Sequence, residues 1–244
     1  MSRARLVGLV LLGAIAVPVL GMAGVLGWIR SPTAQDLPMP EGLTSLRTAP
    51  GQERLLRAVR ADHDALMGAF QSQEMRSWCG VASAVTVLNA AGSDLTQEGF
   101  FTPATSEVRG WWAVTLGGMP VHDLAGMLRV HGAHTRVVLA EDADVGAFRD
   151  EVRANLATAG DWLIVNYDRS VLGEEGGGHL SPLSAYDAIT DEVLMLDVSA
   201  YKYPPHWVPV DRMFAAMHTR DGETGRSRGW VVVDGQVSVQ EEAR

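Results

Sequence analysis

Four residues have the types and surroundings that nucleophilic catalysis requires: Cys79, Gln73, His179 and Asp197. Cys79 is the single cysteine in 244 residues and stands before Gly80 and an Ala/Val-rich stretch that reads as the start of a helix. Unpaired amides and the positive end of the helix dipole at that place favour thiolate over thiol. Gln73, on the approach to this helix, carries an amide able to donate to an oxyanion. His179 follows Gly176-Gly-Gly and begins an apolar stretch, and Asp197 stands near the end of the next one. An imidazole can take the thiol proton and later return it to a leaving amine, while a carboxylate fixes its tautomer and orientation. Each residue alone has a plainer reading, as a small buried hydrophobe, a turn acid or a satisfied sheet histidine. Their joint occurrence favours the chemistry.

Length and composition allow one sizeable domain or two closely joined lobes, with an ample core. A formal net charge of −9 and the lack of a Lys/Arg cluster exclude nucleic acid as a partner class. One cysteine permits no intramolecular disulfide, so in an exported protein it is a free thiol.

Export is expected. Arg3 and Arg5 precede an uncharged run over residues 6–29, closed by Arg30. The run exceeds a signal-peptide apolar region of about 7–15 residues and reaches the roughly 20 needed to span a bilayer. Gly21-Met-Ala23 offers a small-residue cleavage site that would release a secreted chain. Apolar character continues beyond it, which favours an uncleaved membrane anchor over residues 1–30. The basic start should stay in the cytoplasm and the rest lie on the periplasmic or other extracytoplasmic face. Residues 31–51, with Pro32, Pro38, Pro40 and Pro50, read as an extended linker. Residues 52–236 then form the globular domain and 237–244 a polar tail.

Within the domain, Leu55, Leu56 and Val59 mark a short helix and residues 62–70 a second helical piece. The spacing of Val81, Ala84, Val85 and Leu88 predicts a buried helix over 79–90, ended by Gly92-Ser-Asp, with one more turn over 95–101. Leu124, Met127, Leu128 and His131 mark an amphipathic helix closed by Gly132. Val145, Phe148, Val152 and Leu156 mark a longer one closed by Gly160. The pattern then favours strands at 135–139 and 162–167. Residues 180–189 and 193–198 flank Thr190-Asp-Glu as an antiparallel hairpin. A helix over 210–217 precedes a polar loop and a strand over 229–233. Helices first and an antiparallel sheet after them predict an α+β architecture with a cleft between the two parts. Direct opposition of His179 and Asp197 would need a hairpin centred near Ala188, so their proximity is plausible while the register stays open.

The segments Gly178-His-Leu-Ser-Pro-Leu183 and Asp197-Val-Ser-Ala-Tyr-Lys-Tyr-Pro-Pro-His-Trp-Val-Pro209 closely resemble the signature of phytochelatin synthases, the glutathione γ-glutamylcysteinyltransferases. Residues 73–89 resemble that family's nucleophile segment, and Asp221-Gly-Glu-Thr-Gly-Arg-Ser-Arg-Gly229 its last catalytic-domain motif. The resemblance covers residues 55–233 and points to the short bacterial form. It implies a papain-like fold, with Cys79 as nucleophile, His179 as general base and acid, and Asp197 as orienting acid. Gln73 and the Cys79 backbone N–H would stabilise the oxyanion. Members attack the Cys–Gly bond of glutathione, release glycine and hold γ-glutamylcysteine as a thioester. Synthases pass it to a second glutathione; hydrolytic relatives pass it to water.

A γ-glutamyl group carries an ammonium and a carboxylate, so its pocket needs an acid and a bidentate base. The matching motif supplies Asp221 and Arg228 as substrate-binding residues, and Tyr203 could add a hydroxyl contact. The eukaryotic synthases have an arginine where this chain has Ala200, and no cysteine-rich segment follows Val233 here. The stretch 107–119 departs from the plant pattern too. These departures favour hydrolysis over polymerisation. His131 and His134 lack an accompanying Cys or carboxylate set, so no protein-bound cofactor or metal is expected. Cadmium or zinc would enter as the glutathione thiolate complex, and His206 would pack and hydrogen-bond. The expected partners are glutathione, its metal thiolates and a membrane through residues 6–29; the oligomeric state stays open, a homodimer among the options. Two other readings compete: a membrane-tethered leader-type cysteine peptidase and a non-catalytic glutathione–metal binding protein.

Overall fold

The computed structural model describes residues 34–234, together with Gly24, Gly27, Ile29 and Arg30 ahead of them. Most of the expected anchor, the last two residues of the expected domain and the tail over 237–244 therefore lie outside the described residues. Among the described residues no helix is long and apolar enough to cross a membrane.

The architecture is α+β around one seven-stranded antiparallel sheet of order β1-β6-β5-β4-β3-β7-β2. The strands are β1 (Thr44–Ser45), β2 (His134–Leu139), β3 (Trp162–Asp168), β4 (Gly178–Asp187), β5 (Glu192–Met195), β6 (His206–Pro209) and β7 (Gly229–Asp234). The helices are α1 (Ala49–Arg57), α2 (His63–Ala69), α3 (Cys79–Ala90), α4 (Pro103–Val108), α5 (Trp111–Gly117), α6 (Val121–Val130), α7 (Val145–Ala157) and α8 (Val210–Met217). The apolar run of β3 reflects burial on both faces. Ile164 joins the core containing α3 and α6, whereas Leu163, Val165 and Tyr167 join the core containing α7 and α8.

Helix α3 is apolar all round because it is enclosed: every residue from Cys79 to Leu88 is buried. Gly80 lets it approach the sheet. A Cβ there would lie 2.8 Å from Met119 Sδ and 3.0 Å from a Leu180 methyl. Ser83 Oγ donates to the Leu180 carbonyl at 3.0 Å, which fixes α3 along β4. The nucleophile candidate and His179 are brought together by this packing.

Several expectations need correction. Residues 34–51 are not an extended linker. The amides of Gln35 and Asp36 donate to the Tyr201 carbonyl, β1 pairs with β6, and α1 already begins at Ala49 with Thr48 as its cap. Prolines here shape a segment that the sheet edge satisfies. Ile29, at the end of the apolar run, is also part of the core, and its carbonyl accepts the Arg76 N–H at 2.9 Å. The domain thus begins before residue 52. Strand β6 was hidden between Pro204-Pro205 and Pro209, and only its pairing with β5 makes it a strand. Helices α4 and α5 were also missed, although Thr102-Pro103 was a usable signal. Thr102 caps α4 reciprocally with Thr105, and Pro103 occupies its first turn.

The hairpin turns later than direct opposition of His179 and Asp197 would require. Asp187 pairs with Glu192 and Tyr186 with Val193, and a bulge shifts the register between Leu183 and Ala185. Asp197 lies just beyond β5, where Val198 N–H points to Ser181 Oγ. The carboxylate therefore meets the His179 ring diagonally, a spacing that the ring is long enough to bridge.

Candidate active site

Cys79 is the first residue of α3, and its thiol lies within hydrogen-bonding reach of the His179 ring and the Leu180 backbone. His179 Nε2 stands 3.0 Å from Asp197 Oδ1. All three residues are buried. Burial alone pushes the thiol up, but the His179 charge and hydrogen bond, the Leu180 backbone and the Arg169 charge bring it below its ordinary value. Burial and Arg169 push His179 down, yet Cys79 and Asp197 outweigh them and raise it. Burial would raise the Asp197 carboxyl as well; Arg169, His179 and His206 hold it well below the usual carboxylate range. The two opposite shifts favour a thiolate–imidazolium pair.

Cys79 and His179 open on a cavity of about 450 Å³. Asn166, Gly178, Asp221, Glu223 and Arg228 form one side of it, and Leu116 and Met119 line it from the helical side. Arg228 Nη1 donates to Asp221 Oδ2 at 3.1 Å and Asn166 Oδ1 at 3.2 Å, and its Nε donates to Thr219 Oγ1 at 3.2 Å. Asp221 Oδ1 accepts the amides of Glu223 and Thr224, so the same carboxylate organises the loop that carries it. Arg109 grips Glu223 with two hydrogen bonds at 2.6 and 3.0 Å, pinning this loop to the α4–α5 junction. Asn166 and Glu223 were missed by sequence reasoning. Asn166 interrupts the apolar run of β3, the one signal that could have found it.

The remaining two candidates lie elsewhere. Gln73 is buried close to the site but does not line the cavity. Its Nε2 donates to the carbonyls of Met75 and Arg76 at 3.0 and 2.8 Å, and its Oε1 accepts Ser199 Oγ at 2.9 Å. The Gln73 amide thus organises the turn leading into α3. Tyr203 is not a wall of the cavity either: its hydroxyl accepts the Glu175 N–H at 2.9 Å and its ring lies under the Arg169 guanidinium.

Among the described residues, one group has donor atoms close enough to share a metal ion: Glu174, Asp197 and His206, within 4.8 Å of one another. Arg169 already binds Glu174 and Asp197, and a guanidinium among the ligands opposes a cation. His131 instead stacks on Phe100, with Nε2 2.9 Å from the Phe100 carbonyl.

Fold and site together define an α+β protein with a buried cysteine, histidine and aspartate in one cluster, of which the cysteine and histidine line a cavity. The chain belongs to the phytochelatin synthase family, which it matches over residues 34–230. It is 34% identical over 219 residues to glutathione gamma-glutamylcysteinyltransferase 3 of Lotus japonicus, covering 84% of this chain and 43% of that protein. It is 29% identical over 219 residues to glutathione gamma-glutamylcysteinyltransferase 1 of Arabidopsis thaliana, covering 84% and 42%. The chain therefore spans less than half the length of these two relatives. Among solved structures it resembles the peptidase domain of Streptococcus ComA, with a TM-score of 0.45 and 13% identity, covering 68% of this chain and 97% of that one.

Proposed function

We propose that this protein is a glutathione γ-glutamylcysteinyltransferase with a papain-like arrangement, acting through Cys79, His179 and Asp197. The observation that carries the reading is one cavity lined by both the Cys79–His179 pair and the Asp221–Arg228 pair. In this mechanism the Cys79 thiolate adds to the carbonyl carbon of the Cys–Gly peptide bond. The His179 imidazolium then gives its proton to the departing amine, and glycine leaves as the thioester forms. Water, or the α-amine of a second glutathione, attacks the thioester; His179 takes the attacker's proton and Cys79 is released as thiolate.

Arg228 would receive the γ-glutamyl carboxylate through its guanidinium fork, and Asp221 the ammonium. The Cys79 N–H, at the start of α3, suits an oxyanion. Gln73 can join it by turning one amide hydrogen from its backbone acceptors as charge develops. A metal thiolate of glutathione would enter as substrate. For the residues ahead of Ile29, which itself packs into the domain core, we retain the membrane anchor and an extracytoplasmic domain, supported by the basic start and the apolar run. Protease accessibility in sealed vesicles tests that topology.

The full chain incubated with glutathione, with and without cadmium or zinc, should release glycine, and Cys79→Ser should abolish release while preserving the fold. A Cys79→Ser protein retaining more than a few per cent of turnover would remove Cys79 from the mechanism. Absence of glycine from the wild-type reaction would reject glutathione as substrate.

A further inference from the structure

The Asp197 carboxylate is loaded on one side. Its Oδ1 accepts from Arg169 Nη2 at 2.6 Å, His179 Nε2 at 3.0 Å and the Ser199 N–H at 2.8 Å. Arg169 is 2% exposed and begins a short turn after β3. Its Nη1 donates to Glu174 Oε2 at 3.1 Å. The other Glu174 oxygen lies 3.0 Å from His206 Nε2, and His206 Nδ1 lies 2.9 Å from the Pro204 carbonyl. The guanidinium carbon sits 5.7 Å from the centre of the Tyr203 ring. Backbone bonds hold the same loop: Arg169 N–H donates to Gly177 O, and Glu174 N–H to Arg169 O. The Tyr203-Pro-Pro-His206 run, which contributes nothing to the cavity wall, thus builds the seat of this arginine.

We propose that Arg169, held by Glu174, His206 and Tyr203, is a positioning residue of the reaction: it locks Asp197 onto His179 and offsets the carboxylate's charge at the Cys79–His179 pair. The physical reason is burial. An uncompensated carboxylate here would be costly and free to turn, whereas a guanidinium bridging two carboxylates fixes both. A lysine keeps the charge but cannot span Glu174 and Asp197 with a planar fork. Among the described residues, the ionisable groups facing Arg169 include Tyr167 from β3, Glu174 from the following loop, His179 from β4, Asp197 after β5, Tyr203 from the segment leading into β6, His206 from β6 and, across the pair, Cys79 from α3. Tyr167 is driven far above its ordinary value by burial and stays neutral. The Arg169 charge lowers both Cys79 and His179. Its loss therefore raises both, a joint displacement that a purely structural residue would not produce.

The proposal rests on the Cys79–His179–Asp197 reading but not on glutathione, so its primary test needs no substrate. The rate of Cys79 alkylation by iodoacetamide is measured against pH in the full chain. The Arg169→Met/Glu174→Gln variant removes the guanidinium without leaving Glu174 as an unpaired buried charge. Both inflections should move to higher pH relative to Glu174→Gln alone. In the glycine assay, kcat should fall on the order of a hundredfold, the cost of a misplaced catalytic group, with KM little changed. A folded double variant with inflections at the Glu174→Gln positions overturns the proposal. Should it not fold, Arg169→Lys decides: lower kcat with KM and inflections retained supports the fork, and full wild-type kcat refutes it. If glutathione is not the substrate, even wild type releases no glycine while the alkylation profile still gives its answer.

Discussion

Gly178 offers a severe test of the substrate-binding assignment, because the Arg228 guanidinium occupies the place of its missing side chain. A Cβ at this position would lie 2.5 Å from Arg228 Nη1 and 2.9 Å from both Cζ and Nη2. Ordinary contact begins near 3.4 Å, so in Gly178→Ala the guanidinium must retreat by about 1 Å. That displacement breaks its bonds to Asp221 and Asn166, which stand at 3.1 and 3.2 Å. A hydrogen bond to a charged group contributes about 1.5–3 kcal/mol. Losing the equivalent bond to the γ-glutamyl carboxylate should raise KM for glutathione roughly 10- to 150-fold. The turnover number should change far less, since the three atoms nearest the added methyl all belong to Arg228. Steady-state glycine release checks this, with Arg228→Ala as reference and Gly178→Ala/Arg228→Ala as the coupled variant. The effects should be strongly non-additive, because both act through one guanidinium. An unchanged KM in Gly178→Ala, or additivity in the double variant, would refute the reasoning.

Three further outcomes are expected. Gln73→Ala should lower kcat by roughly a hundredfold with little effect on KM, the pattern for losing a donor aimed at transition-state charge; a raised KM at normal kcat would make Gln73 a binding residue. The pH–rate profile for glycine release should be bell-shaped. Its acid limb should lie below the ordinary thiol range because the Cys79 value is lowered. Its alkaline limb should lie above the ordinary histidine range because the His179 value is raised; an acid limb at an ordinary thiol value would argue against a thiolate–imidazolium pair. γ-Glutamylcysteine should exceed the shortest phytochelatin at millimolar glutathione, even with cadmium, and Ala200→Arg should shift product toward the polymer. A wild-type time course led by the phytochelatin would reverse that assignment.

Local chemistry in the sequence determined much of this protein. Cys79 before an Ala/Val-rich helix, His179 after a glycine run and Asp197 after a strand were legible because each depends on nearby residues. The same holds for α3, α7, α8 and β3, whose periodicity and apolar content dominate their own windows. Tertiary structure decided the rest. Only the bulge after Leu183 and the true register place Asp197 diagonally from His179, since pairing depends on both strands at once. Only packing converts residues 34–51 from a proline-rich stretch into part of the sheet edge. The same cause moves Tyr203 from the substrate to the seat of Arg169, and draws Gln73's amide onto the turn before α3. Arg169 itself was invisible, because nothing near it in sequence shows that its charge will be buried against Asp197, on another strand's far end.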